Sequence, residues 1–376
     1  MNFKSLMLGA AAAVAATGAS AADLPVAPEP VDYVKVCDTY GATFYYIPGT
    51  ETCLRVGGRV RVQYTLNNMA KNGAFDSYTS DNYGMYGKAY LFLDSRTSTE
   101  FGLLRTFAEM DMTSGLGGTE AIDLGKAYIQ WGGFTFGYAT SFFDYSTGTA
   151  AIGIVSRYAS DKTTNLLGYT AAFGNMTASI AIEDGAVRET GTYFGATYPD
   201  VVAALGYSEG IVDAKLSGAL HHVNTTVGKR SMGWAIGAGV TFDLPMISSG
   251  TSVVFQGQYA DGALSYIGAP NGFSTTNAGG VTDMTNGKKN KGYSLLAGIK
   301  HQATDTVALA LDGNYAKVDV NGANNDVTSW SIDGSVAWTP VSGFTMSADV
   351  GYQDLDVQGA ADQDAILAAF RVQRDF

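Results

Sequence analysis

From residue 54 the chain alternates. Leu54, Val56, Val60, Val62, Tyr64 and Leu66 fall on one parity, and Arg55, Arg59, Arg61, Gln63 and Thr65 on the other. Successive side chains leave a pleated strand on opposite sides, so this period of two predicts a strand with one apolar face. The pattern returns late in the chain, where Thr328, Trp330, Ile332, Val336 and Trp338 oppose Ser329, Ser331, Asp333 and Ser335. Phe344, Met346, Ala348, Val350 and Tyr352 likewise oppose Thr345, Ser347, Asp349 and Gln353. In all, sixteen strands are predicted, near 54–66, 84–96, 99–113, 122–132, 134–143, 164–173, 175–184, 200–208, 213–223, 231–243, 251–266, 292–302, 306–319, 327–338, 343–356 and 365–376. The stretch 190–198 reads as loop.

Short connections at Thr97–Thr99, Gly132-Gly133, Gly174-Asn175 and Pro340–Gly343 alternate with longer polar ones at 67–83, 114–121, 144–163, 267–291 and 357–364. Short turns on one side and long loops on the other describe an outer-membrane barrel. A soluble sandwich would turn its apolar face inward and a membrane barrel turns it out, and periodicity alone does not choose. The polar faces are mild, rich in Ser, Thr, Gln and Gly, rather than densely charged like a soluble surface. Aromatics such as Tyr64, Tyr352 and Phe376 stand at apolar strand ends, as an interfacial girdle requires. In the last strand Ile366, Ala368, Phe370, Val372 and Phe376 share one parity, interrupted by Arg374. A terminal Phe on such a strand resembles the C-terminal signal of outer-membrane barrels. No apolar run is long enough for a spanning helix, which needs about 20 residues. The fold expected is an all-β, 16-stranded antiparallel transmembrane β-barrel.

Composition supports this choice. Of 376 residues only 15% are charged, against about 25% in a typical soluble protein. The formal charge of −12 argues against nucleic acid as a partner. Residues 1–21 have a secretory signal pattern: Lys4, an apolar run Leu6–Thr17, and the small residues Ala19-Ser20-Ala21. Export and delivery to the cell outer membrane of a Gram-negative bacterium follow, with 22–53 as a periplasmic lead-in and 54–376 as the barrel. In an oxidising compartment the two cysteines, Cys37 and Cys53, are expected to form a disulfide, contributing about 2–4 kcal/mol. The rival reading, a redox or metal site, lacks CxxC spacing and a nearby His. No cofactor motif stands out, and the three His residues sit in no nucleophile motif, so no enzyme is expected.

Several segments resemble the general porins of alphaproteobacteria. The segment Cys37–Gly58 (CDTYGATFYYIPGTETCLRVGG) matches their N-terminal hallmark, and so does Asp94–Phe107 (DSRTSTEFGLLRTF). Gly133–Gly137 (GFTFG), Ser141–Asp144 (SFFD) and Pro199–Leu205 (PDVVAAL) match further family segments. The resemblance implies a homotrimer of 16-stranded barrels that passes small hydrophilic solutes and ions by passive diffusion. It also implies that the third long loop, about Asp144–Thr163, folds into the lumen as a constriction. Relatives tend to carry Arg where this chain has Tyr138, which would remove a positive charge and add bulk near the narrowing.

Charges in a narrow, low-dielectric passage set the free-energy profile for a permeating ion. The polar parity of the first four strands holds Arg55, Arg59, Arg61, Lys88, Arg96, Arg105 and Lys126, with Asp94, Glu109 and Asp111. The constriction is expected where Arg59, Arg61 and Arg105 face Asp144 and Asp161 of the loop, with Tyr138 close by. A substrate-specific channel, with aromatics such as Tyr90 and Phe92 along the lumen, is the alternative. His221 and His222 are expected on opposite faces of one strand. The basic run 287–291 could touch anionic lipopolysaccharide, a partner expected beside outer-membrane lipid, or simply be a solvated loop tip.

Overall fold

The computed structural model describes residues 35–67, 69, 83–191, 193–225, 230–269, 281–321, 326–359 and 363–376. The expected export signal, 1–21, lies outside the described residues, as do most of the predicted loop 67–83 and part of 267–291. Sixteen antiparallel strands close on themselves. They are β1 (Cys53–Leu66), β2 (Tyr83–Thr99), β3 (Gly102–Ser114), β4 (Glu120–Trp131), β5 (Phe134–Thr140), β6 (Thr163–Phe173), β7 (Met176–Glu183) and β8 (Asp200–Glu209). There follow β9 (Val212–Asn224), β10 (Arg230–Asp243), β11 (Ser252–Asp261), β12 (Lys291–Gln302), β13 (Val307–Asp319), β14 (Val327–Val341), β15 (Phe344–Val357) and β16 (Gln363–Asp375). β16 pairs with β1, for example Phe370 with Tyr64, and this seam closes the ring. Closure gives every strand a partner on both edges, which a sheet immersed in hydrocarbon requires.

The parity read in the sequence is the parity of the wall. Val56, Val60 and Val62 of β1 are exposed on the outside, and so are Leu309 and Leu311 of β13. Aromatic pairs ring the exterior at two levels. Toward the long loops stand Tyr64–Tyr83, Trp234–Tyr259, Tyr293–Tyr315 and Trp330–Tyr352, with centroids 5.1–6.0 Å apart. Toward the short turns stand Phe101–Trp131 and Phe134–Tyr169. Trp330 and Trp338 of β14 belong to opposite levels and are separated by about 26 Å along the strand at ~3.3 Å per residue. A tilt of ~40° projects this to about 20 Å, close to the height of an outer-membrane apolar band. Arg374, which interrupts the apolar parity of β16, reaches to the short-turn end and donates to the Ser342 carbonyl at 2.6 Å. A long cation can do this at a membrane rim.

One predicted strand is too long. The segment 251–266 stays extended only to Asp261. Gly262 then takes φ +66°, a left-handed conformation open to glycine, and the chain turns into the barrel. Leu264–Ile267 forms a 3₁₀ turn whose residues are all buried. These side chains pack against Phe143, Tyr158 and the small inward residues Ala219, Ala235, Ala260 and Ala316. A hollow barrel thereby gains an apolar cluster on one side of its interior. At the short-turn end, Cys37 and Cys53 form a disulfide, Tyr45–Tyr46 pairs with the start of β1, and Phe44 lies over the inward Arg55 and Arg96. Strand β1 begins at Cys53 itself, one residue before the boundary read from the sequence.

Candidate pore constriction

The inner wall of β1–β4 carries cations laid over aromatic rings. The Arg59 guanidinium lies 5.6 Å from the ring centroid of Tyr90 and 5.9 Å from that of Phe92. Arg61 and Lys88 approach Tyr90 at 5.4 and 5.0 Å. Ring faces are electrostatically negative, so such contacts hold a cation against the wall. Ion pairing is uneven. Arg59 pairs with Asp375 at 2.5 Å and Lys88 with Asp111 at 2.9 Å. Arg96 and Arg105 meet Asp94 at 2.9 and 3.0 Å, with Arg55 at 3.9 Å, so three guanidiniums share one buried carboxylate. Arg61 donates to the neutral Gln373 at 3.0 Å and Arg371 to Gln63 at 2.6 Å. Glu109 and Lys126 are direct neighbours across β3 and β4. The wall therefore has an excess of positive charge facing lumen water.

Between β5 and β6 the segment 141–162 folds inward and follows the opposite wall. Its path is fixed mostly by its own backbone N–H groups, which donate to inward side chains of successive strands. Ser146 donates to Gln256 of β11 at 2.9 Å, and Ser160 to Gln258 at 3.1 Å. Thr149 and Ala150 donate to Asp312 of β13 at 2.7 Å. Ala151 donates to Ser335 and Ile154 to Asp333 of β14. Ile152 and Gly153 share one oxygen of Asp349 of β15 at 2.8 Å, and Ser156 donates to Gln353. Arg371 of β16 reaches the Ala151 carbonyl at 3.3 Å. A carboxylate that accepts several N–H groups holds them strongly, because each bond is charge-assisted. Side chains of the segment need space, and glycines supply it. A Cβ at Gly239 would come within 2.2 Å of the Tyr145 ring, and one at Gly237 within 3.1 Å of Phe143. The Tyr145 hydroxyl bonds the Asp213 carbonyl and Thr241, and burial pushes it up to about 12, so it stays a neutral donor.

An inward loop pinned across a closed, outward-apolar barrel narrows the passage through it. A family model described as "Porin subfamily" matches residues 23–374. This chain belongs to the porin subfamily. Porin Omp2b of Brucella canis is 33% identical over 408 aligned positions that cover 100% of both chains. Among solved structures, the outer membrane channel DcaP of Acinetobacter baumannii superposes with a TM-score of 0.71 at 17% identity, covering 88% of this chain and 99% of that one. The anion-selective porin of Comamonas acidovorans gives 0.56 at 13% identity, covering 87% and 100%. The porin is thus an outer-membrane diffusion channel, and the ends bearing long loops face the exterior.

The expected residues of this porin separate into three groups. Arg55, Arg59, Arg61, Lys88, Asp94, Arg96, Arg105, Glu109, Asp111 and Lys126 share the inward face of β1–β4. Asp144 does not face Arg59, Arg61 or Arg105. Its carboxylate accepts from Ser160, from the Lys162 N–H at 2.7 Å and from the buried Arg188 at 3.2 Å, while its carbonyl takes Lys215 at 2.7 Å. It staples the two ends of the inner loop together. The side chain of Asp161 is exposed in the lumen, yet desolvation by the protein around it, with nearby Asp144, raises its carboxyl above the ordinary range, against the pull of Lys126, Lys162 and Arg157. Its cationic neighbour on the wall is therefore Lys126, not the arginine row.

Tyr138 lies elsewhere. It shares parity with the exposed Phe134 and Phe136 and sits opposite Ala127, on the outer face of β5. Neither charge nor bulk at this position enters the lumen. His221 and His222 do point to opposite faces: His221 is buried inside against Asp200 at 2.8 Å, and His222 stands edge-on to Tyr198. Sequence reasoning left out the loop anchors Asp312, Asp333 and Asp349, and Arg371. Their inward parity was visible, but their partner is a loop backbone with no sequence signature of its own.

Proposed function

We propose that this porin is a passive, water-filled pore for small hydrophilic solutes and ions, that it favours anions, and that it works as a homotrimer. The observation that carries the anion preference is the unequal use of charge around the lumen. Asp312, Asp333 and Asp349 are occupied by loop N–H groups and buried, whereas Arg61 and Arg371 have neutral glutamine partners and, like the ion-paired Arg59 and Arg105, stay half-exposed on the wall. A fixed positive field in a focused passage lowers the barrier for anions. Ion passage across such a field needs no bond to be made or broken, so no enzymatic step is assigned. Homotrimeric assembly follows from the family resemblance and from a barrel exterior apolar enough to meet its own copies or lipid.

The test is planar-bilayer conductance under a salt gradient. Wild-type protein is expected to insert in steps grouped in threes and to give an anion-side reversal potential. Replacing Arg59→Ser together with Arg61→Ser should lower the anion-to-cation permeability ratio severalfold. An unchanged reversal potential would refute the assignment of the arginine row to the aperture.

A second reading has its own support. Tyr90 stacks on Phe92 at 6.0 Å and Phe107 on Tyr128 at 5.3 Å, each pair beside a guanidinium. Such a surface suits a planar anion, and a substrate-specific channel would use it. Current blocked at micromolar levels by one aromatic carboxylate, but not by chloride or acetate at equal strength, would favour that reading.

A further inference from the structure

The short-turn end of the lumen holds a second cluster of charge. Arg55 near the start of β1, Arg96 near the end of β2 and Arg105 near the start of β3 converge there on Asp94. Arg55 precedes Arg61 by six residues on β1. That is ~20 Å of strand at ~3.3 Å per residue, or about 15 Å along the barrel axis at a tilt of ~40°. The cluster therefore belongs to the periplasmic exit, well away from the aperture, where Arg371 beside Gln63 holds the inner loop.

Asp94 is buried, and its accepting capacity is taken. A carboxylate offers about four lone-pair positions. Arg96 takes two, with Nε and Nη2 at 3.2 and 2.9 Å, and Arg105 takes two, with Nε and Nη2 at 3.0 and 3.1 Å. Arg55 comes third. Its Nη2 stands 3.9 Å from Asp94, too far for a hydrogen bond, and no other acceptor among the described residues reaches its guanidinium. Its side chain is 43% exposed, the most open of the three. Among the described residues no second carboxylate pairs with any of them, so two positive charges are left over. Arg55 is nonetheless held in place. The Cys37–Cys53 disulfide closes a turn onto β1, and the Cys37 N–H donates to the Phe44 carbonyl at 2.9 Å. Phe44 is buried with the two cysteines, its ring 5.4 Å from the Arg55 guanidinium and 4.8 Å from that of Arg96. A ring on the face of a guanidinium leaves the N–H groups at its edge free to donate.

We propose that Arg55 and Arg96, backed by Phe44, bind a small tetrahedral dianion, of the class of sulfate and inorganic phosphate, at the periplasmic exit. Charge selects the class, since a dianion answers both surplus charges and a monoanion only one. Geometry selects it too, because the planar fork of Arg55 matches two oxygens of an oxyanion. Arg96 adds Nη1, which has no partner among the described residues. Phe44 is a positioning residue: it fixes the Arg55 guanidinium without touching the anion. The disulfide-closed turn is thereby a working part of the passage. This deepens the anion-favouring reading of the pore and rests on it, yet the two fail separately. The arginine row is read in chloride reversal potentials, and the exit site in block by an oxyanion.

The experiment is planar-bilayer recording of the full chain in potassium chloride, with potassium sulfate, potassium phosphate or potassium nitrate added at equal ionic strength. Sulfate and phosphate should each reduce the chloride current at low millimolar concentration, and nitrate should not. Arg55→Gln should raise the half-blocking concentration of both about tenfold, the cost of one hydrogen bond to a charged group. Phe44→Ala changes no charge and should raise it about threefold, because Arg55 loses the ring that holds it. A variant that inserts as discrete channels has closed its barrel, so a change in block is not a failure to fold. Block by nitrate equal to that by sulfate, or an unchanged half-blocking concentration in Arg55→Gln, overturns the inference. If the block instead disappears only in Arg59→Ser with Arg61→Ser, the oxyanion sits at the arginine row, and the exit site is refuted while the aperture reading stands.

Discussion

On the wall built by β1–β4 and β16, guanidinium and ammonium groups stand in lumen water beside aromatic rings. On the wall built by β13–β15, three aspartates are sealed against the backbone of the inner loop. Both sets lie on the inward parity and both would be counted as pore-lining charge. Their effects differ because a carboxylate closed over by N–H groups presents a desolvated surface, whereas the near-wall cations outnumber their carboxylate partners and remain half-exposed to lumen water. The acidic total of this porin, −12, therefore says nothing about the sign felt by an ion at the aperture.

The most disruptive test of this contrast is Asp312→Ala. It leaves the N–H groups of Thr149 and Ala150 without an acceptor, at about 1–3 kcal/mol for each. The loop should detach from β13, raising single-channel conductance and adding flicker, read in planar bilayers. If conductance is unchanged, the far-wall carboxylates are not what holds the aperture. Asp94→Asn acts on the near wall and should be gentler. It releases Arg55, Arg96 and Arg105 from their shared carboxylate, and reversal potentials should move further to the anion side, by less than the arginine replacements move them the other way. Acidification gives a smaller shift. Because the Asp161 carboxyl is raised, it gains its proton above the ordinary carboxylate range of about 3.9. Anion preference should therefore begin to rise at a higher pH than in the Asp161→Asn variant, where that early step is missing. Tyr138→Phe should change nothing in conductance or selectivity, and a clear change would place this side chain in the lumen after all.

How far the sequence carries can be judged residue by residue. Strand identity was readable because the period of two survives wherever one face meets lipid and the other water. Tyr138 was readable too, since Phe134 and Phe136 share its parity and are too apolar to line a wet lumen. Motif resemblance drew it to the aperture against that evidence. Asp144 could not be placed, because its role depends on Arg188 and Lys215, which reach it from other strands and carry no local signal. The end of β11 was misread for a similar reason. The run from Gly262 to Ile267 is apolar like a strand, but it buries itself against Phe143 and Tyr158, a packing visible only in three dimensions. Arg371 was within reach of the sequence, as it lies on the parity opposite Phe370 and Val372.

A barrel of this kind has no packed centre, so its cross-section is an elastic ring that lateral pressure in the bilayer could flatten. The inner loop changes that. From Tyr145 against β9 and β10, through Gln256, Asp312, Ser335 and Asp349, to Arg371 on β16, it is fastened to one strand after another. Mechanically it is a rib bonded to the inside of a thin shell. The half of the wall that it braces resists bending, and deformation is left to the unbraced arc of β1–β4. Membrane tension would then act on the aperture mainly through the arginine-bearing side.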